Sequence, residues 1–342
     1  MKRALLWCVL ANVIGGSTFA AMAGAHAAGL PTVTFSFLRT LLSTLLFALV
    51  AWRAGVLRPR FSARDWLLVG VVAVPGFALP LILGIRGVAL STPGLGSILA
   101  LLEPIMIVPL SVLFLRESLP RARLLGIAIG LAGALLVVLG GASGAEATAG
   151  LTGEAHAAAG AAHRETLLGN ALLAIQGSLW ALYTVAAKPL TARHSALSIS
   201  TWSTALGCLA MGLFAPLEWS ATTPAALRAV AEWLALEQGP ATLDGALAVG
   251  RASLPWMAYL ALFGSFFGVL LWNAGLEGVA ASRMAGFIFL QPAVGLLLDY
   301  AMGAPPPALH AWLGLGAIAL AILFVSREPA PRPMAPRGPA ST

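Results

Sequence analysis

Charge is what this sequence has least of. Only 10% of its 342 residues are Asp, Glu, Lys or Arg while 59% are hydrophobic, whereas a soluble domain carries roughly a quarter charged. An ordinary water-facing surface cannot be made from this composition, and the mean hydropathy of +0.90 agrees. Cysteine is almost missing: Cys8 and Cys208 stand alone in apolar runs of opposite halves, which excludes a disulfide framework and leaves free thiols. No G-x-x-x-x-G-K-[ST] loop occurs, which excludes that kind of ATP site. His26, His156, His163, His194 and His310 are scattered, without H-E-x-x-H or Cys/His metal spacing, so no metal and no other cofactor is expected.

Long apolar runs are present instead. A bilayer core of roughly 30 Å takes about 20 apolar residues as a helix, which satisfies its own backbone where there is no water. The chain offers such runs at 4–23, 32–52, 66–85, 94–115, 124–141, 167–187, 196–217, 256–276, 284–303 and 309–325. The expected fold class is therefore an all-α integral membrane protein with ten transmembrane helices. With a cytoplasmic amino terminus, fifteen of the 20 Lys and Arg residues fall in inner segments and only Arg86, Arg164, Arg228 and Arg251 in outer ones, Arg39 lying inside a span. That is a positive-inside pattern. The net charge of +7 thus reads as topology rather than as a nucleic-acid surface, and no nucleic-acid partner is expected. Residues 1–27 imitate a cleavable signal peptide; the parity of the basic residues favours a retained first span.

The halves resemble one another. The stretch from Gly87 aligns without gaps with that from Gly275, an offset of 188 that pairs Glu103-Pro104 with Gln291-Pro292 and Gly126 with Gly314. Five spans precede residue 142 and five follow, and an odd-numbered repeat inserts its second copy upside down. The organisation expected is a first five-helix repeat at 1–141, a periplasmic linker at 142–166, a second repeat at 167–326 with an outer loop at 218–255, and a disordered cytoplasmic tail at 327–342. Residues 224–238 in that loop are read as a linker or a short amphipathic surface helix.

An ionisable side chain at mid-bilayer costs at least about 2.5–3.5 kcal/mol, so those present are candidates for function. Arg39 and Glu103 lie deepest, each about 12 Å from the outer end of its span at 1.5 Å per residue. They are expected to pair in one state and to exchange that partner for a substrate carboxylate or a proton in another, with Glu103 as the proton-coupling group; the alternative is a permanent ion pair that only orients helices. Gln291, Asn12, Gln176 and Asn273 add amides for a polar solute or for interhelical contacts. Pro104 and Pro292 are hinge candidates or passive kinks. Trp180, Tyr183 and Trp272 offer an aromatic wall, while Trp52, Trp66, Trp202 and Trp256 near span ends read as interfacial belts. Asp299 is read as a solvated or gate residue, and Arg116, Glu117, Arg121 and Arg123 as a cluster for topology or gating. Gly126 and Gly130 give a G-x-x-x-G spacing for close approach within the chain or between subunits.

FLRT around Arg39, LLEPIMIVPLSVLFLRESL with Pro104 and Glu117, GIAIGLAGALLVV from Gly126, GSLWALYTVAAK with Trp180, Tyr183 and Lys188, and LQPAVGLLLDY follow one another in an order that resembles the drug/metabolite transporter superfamily, in its ten-helix EamA-type members. The resemblance implies a multi-pass protein of the bacterial inner membrane with both termini cytoplasmic, exporting or exchanging small metabolites such as amino acids by alternating access, with protons and the small-molecule substrate as its partners in the lipid bilayer. One departure is clear: the second half commonly repeats the fourth-span Glu, yet Pro305 stands at the position equivalent to Glu117. A membrane-embedded enzyme and a channel are the competing classes.

Overall fold

The computed structural model describes residues 2–90, 99, 101–141, 153–219, 239–240, 242–301 and 309–326. Among the described residues there is no strand. The helices are α1 (Lys2–Ala27), α2 (Thr32–Arg53), α3 (Ala63–Ala73), α4 (Leu79–Leu90), α5 (Leu102–Leu115), α6 (Arg121–Gly141), α7 (Gly153–Thr191), α8 (Ala196–Phe214), α9 (Leu243–Tyr259), α10 (Gly268–Gly278), α11 (Ala281–Ile288), α12 (Leu290–Ala301) and α13 (Leu309–Ser326). A π-helical turn, Val74–Ala78, fuses α3 to α4, and another, Leu260–Phe267, fuses α9 to α10. Seven of the resulting helices are long and apolar enough to cross a membrane, while Leu102–Leu115 and Leu309–Val325 are apolar but shorter.

The helices are patterned inside out relative to a soluble bundle. Along α2 the buried stripe carries Ser36, Arg39, Thr40 and Ser43, whereas Leu42, Leu45 and Leu49 stand exposed. Helix α8 repeats this, burying Ser200, Thr201, Ser203 and Thr204 and exposing Leu209 and Leu213. Lipid is as apolar as leucine, so hydrophobic side chains gain nothing by facing inward, and small or hydroxylated residues take the helix contacts. Thr201 and Thr204 donate to carbonyls four residues back, which keeps their hydroxyls satisfied without water. The expected small-residue contact is within the chain: a Cβ at Gly126 would lie 2.9 Å from Val325, and one at Gly133 would lie 2.8 Å from the Gly314 carbonyl, so α6 and α13 meet backbone to backbone. Trp52 is exposed and Trp66 partly so, as belt residues should be, with Trp202 edge-on to Trp66.

The repeat reappears as matching irregularities. Shifted by 188, the first π turn falls on residues 262–266, inside the second. The non-helical Leu101 that precedes α5 likewise maps onto Phe289, the break that separates α11 from α12. Pro104 and Pro292 each sit in the first turn after such a break. The expected mid-helix kink is therefore replaced by a helix start, where the missing N–H would have had no partner.

Three boundaries differ from expectation. The segment 142–166 is helical from Gly153 onward, as the front of α7. Glu218 belongs to a 3-10 turn, Ala215–Glu218, and is fully buried rather than solvated in a loop. Helix α9 begins at Leu243, ahead of the apolar run, with the Thr242 hydroxyl accepting from the Gly245 N–H as its cap. The candidate surface helix at 224–238, the tail at 327–342 and Pro305 lie outside the described residues.

Candidate substrate cavity

A cavity of about 140 Å³ opens between the halves. Its walls come from α1, α2, the first π turn, α4, the start of α5, α7, the second π turn, α10 and α12. Residues far apart in the chain meet here: Arg39, Glu103, Trp180 and Gln291 all line it. Helix breaks place two of them. Glu103 is the second residue after the break at Leu101 and Gln291 the second after Phe289, so equivalent positions of the two halves face one space.

Glycines let the neighbouring helices close over those breaks. A Cβ at Gly16 of α1 would fall 2.6 Å from the Gln291 carbonyl oxygen, and one at Gly177 of α7 would fall 3.3 Å from the Glu103 nitrogen. The first span of each half thus covers the break of the other. Phe77, Trp180, Tyr183 and Trp272 form the aromatic part of the wall, Trp180 lying edge-on to Phe77 and Tyr183 at centroid distances of 6.2 and 5.7 Å. Phe77 carried no signal in the sequence, because only the π turn around it aims it inward.

Arg39 is 2% exposed, and its Nε and Nη1 have no hydrogen-bond partner; Ser36 Oγ and Thr40 Oγ1 on the same face are in the same condition. No salt bridge joins Arg39 to Glu103 among the described residues, so the expected pair appears as two charges on one cavity rather than as a contact. An arginine buried without a partner is costly unless something else supplies acceptors. Five N–H donors in a planar fork suit a carboxylate.

Asn12 and Asn273 stand one step behind the wall. Asn12 Oδ1 accepts from Gln291 Nε2 at 2.9 Å, and Asn273 Nδ2 donates to Tyr183 Oη at 2.7 Å and to Ser200 Oγ at 2.9 Å. Neither asparagine is among the residues that line the cavity; each is fully buried and holds a residue that does. Trp272 Nε1 donates to Thr184 Oγ1 at 3.2 Å, which holds the indole in place.

At the end of the bundle that carries most of the basic residues, the cavity is shut. Ala4, Cys8, Leu276, Val279, Met284 and Ala285 are buried there in one cluster. Glu117 bridges to the start of α11, accepting from the N–H groups of Ala281 (2.8 Å) and Ser282 (3.0 Å) and from the Ser282 hydroxyl. Lys188 donates to the carbonyls of Leu276 and Val279 at the end of α10, and Arg123 Nη1 reaches Ser282 Oγ. The Glu117 cluster is therefore a closure between spans and not only a charge signal.

An open cavity of paired half-repeats in a helical membrane bundle fits a solute carrier, and known proteins give it a family. The model of the EamA-like transporter family matches residues 2–139 and again residues 167–327. The chain belongs to that family. Among EamA relatives, a probable terminal-alkyne amino-acid exporter of Streptantibioticus cattleyicolor is 26% identical over 331 residues, covering 96% of this chain and 95% of its own. A pseudopaline exporter of Pseudomonas aeruginosa is 29% identical over 281 residues, covering 80% and 86%. A solved crystal structure aligns with a TM-score of 0.67 at 18% identity, over 95% of this chain and 97% of its own, which shows the shared fold. This EamA protein is thus a multi-pass membrane transporter by family.

Proposed function

We propose that this protein is a secondary carrier, an exporter or exchanger, for small metabolites that carry a carboxylate, with amino acids as the leading class. Arg39 receives the carboxylate, and Glu103 binds and releases the coupling proton. The observation that carries the reading is the buried Arg39 fork, with Nε and Nη1 unpartnered, in a cavity that also holds Glu103. Ten crossings in two inverted five-helix repeats, at 1–141 and 167–326, are supported by the two family matches and by the π turns and breaks that recur at an offset of 188. Alternating access follows, since two inverted halves can rock about a shared central site. The protein sits in a bacterial inner membrane with both termini in the cytoplasm, an orientation that the basic residues of the inner connections support. The exporter names of two relatives support the direction and the small-solute class.

Counterflow of a labelled amino-acid mixture into proteoliposomes at two external pH values tests this reading. Saturable exchange is expected, with loss in Arg39→Gln and loss of pH dependence in Glu103→Gln. Wild-type exchange that survives both changes with its pH dependence intact would make the two charges structural.

A further inference from the structure

The cavity has a second end, opposite in character to the arginine. Asn12 Nδ2 donates to the Cys8 carbonyl one turn back at 2.8 Å, and a carbonyl can only accept, so the orientation of the Asn12 amide is fixed. Its Oδ1 is then the atom left to face Gln291, and it accepts from Gln291 Nε2. With that nitrogen turned to Asn12, the oxygen is the end of the Gln291 amide left for the cavity that the residue lines. Gly15 makes the arrangement possible, because a Cβ there would lie 3.1 Å from both Cδ and Nε2 of Gln291. Glu103 occupies the equivalent position of the other half and contributes carboxylate acceptors to the same space.

We infer that Glu103 and Gln291 form a subsite for a protonated amine, and that Asn12 is the positioning residue that turns the Gln291 oxygen toward it. The inference rests on the carrier reading above and deepens it by assigning the amine end of the substrate to named residues. The charge count agrees in the state in which Glu103 has released its proton. Arg39 and Glu103 then sum to zero, matching a zwitterion, and an amide at 291 supplies a second acceptor without the second negative charge that would favour a dication. An ammonium has three donors and no acceptor, so a site of acceptors only is complementary to it.

Two half-probes separate the ends: phenethylamine carries only the amine and 3-phenylpropionate only the carboxylate. Each is titrated against the purified full-length protein, read by fluorescence of the cavity tryptophans and by calorimetry. Asn12→Leu and Gln291→Leu are each expected to weaken phenethylamine about tenfold, the loss of one charge-assisted hydrogen bond, and to change 3-phenylpropionate less than about twofold. The double variant is expected to be no weaker than Gln291→Leu alone, since Asn12 acts through Gln291. Additive losses, equal losses for both probes, no loss, or failure of the wild type to bind phenethylamine would each overturn the inference. If Asn12→Leu does not fold, the amine-against-acid selectivity of Gln291→Leu decides by itself. Loss of counterflow with this binding pattern intact would sink the carrier reading while leaving the amine subsite standing.

Discussion

A buried guanidinium with two nitrogens that lack acceptors is a liability that a lysine would carry differently. At Arg39 the unpartnered Nε and Nη1 belong to a rigid planar group with donors in fixed directions, whereas an ammonium on a flexible stem is a point charge. Arg39→Lys is therefore expected to retain the fold, measured by an unchanged elution profile and melting temperature, yet to lose at least about tenfold in 3-phenylpropionate binding, the loss of one charge-assisted hydrogen bond. Gly16 sits under a tighter constraint, because its missing Cβ would meet the Gln291 carbonyl oxygen at 2.6 Å, and backbone cannot swing aside. Gly16→Ala should cost about 1–3 kcal/mol by overpacking, seen as a lower melting temperature in detergent. Gly70, which meets nothing within 4 Å, is the control: Gly70→Ala should be neutral or slightly stabilising.

Helix starts explain how the elements are tied. Helix α3 caps itself, Ser62 and Asp65 forming a reciprocal box, and Asp65 also meets Arg193 at 2.7 Å. Helices α2 and α11 have no side-chain cap of their own. Each borrows a carboxylate from a distant span: Glu218 accepts from the N–H groups of Val33 (2.8 Å) and Thr34 (2.7 Å), and Glu117 does the same for α11. The αL conformation at Arg116, φ 54°, ends α5 and brings Glu117 round to its target. Such a cap satisfies orphan donors and opposes the positive end of the helix dipole. Glu218→Gln keeps an acceptor and loses the charge, and is expected to cost about 2 kcal/mol of stability, read as a lower melting temperature. The two caps lie at opposite ends of the bundle.

For the whole molecule, the burial pattern means that the cavity is closed toward the Arg-rich end. Cys8 and Cys208 are both buried, so a thiol introduced by Thr18→Cys in the cavity wall can be read against a quiet background. A membrane-impermeant maleimide is expected to label it from the face opposite the Arg-rich connections and not from the Arg-rich face. Adding Glu117→Gln should release α11 and raise labelling from the Arg-rich face several-fold. Equal labelling from that face with and without Glu117→Gln would show that the Glu117 bridge does not hold the closure.

Length, hydropathy and basic-residue parity were enough to read a helical membrane bundle, because a span must be about 20 apolar residues whatever its neighbours are. The offset of 188 was enough to read Glu103 and Gln291 as equivalent, and depth was enough to single out Arg39. Those are properties of position along the chain. What the residues touch was decided only by the fold. Asn12 and Asn273 read as solute contacts or glue, and the packing of α1 and α10 put them behind the wall. Glu218 read as a loop acid until the 3-10 turn buried it against α2. Arg39 and Glu103 read as pairing in one state of the carrier, and the fold sets them on one cavity, here without a salt bridge. Phe77 had no signal at all. Spacing along a helix fixes depth and face, but the distance between two faces depends on how helices with glycines at Gly16 and Gly177 close over breaks at Leu101 and Phe289, and that is a property of three dimensions.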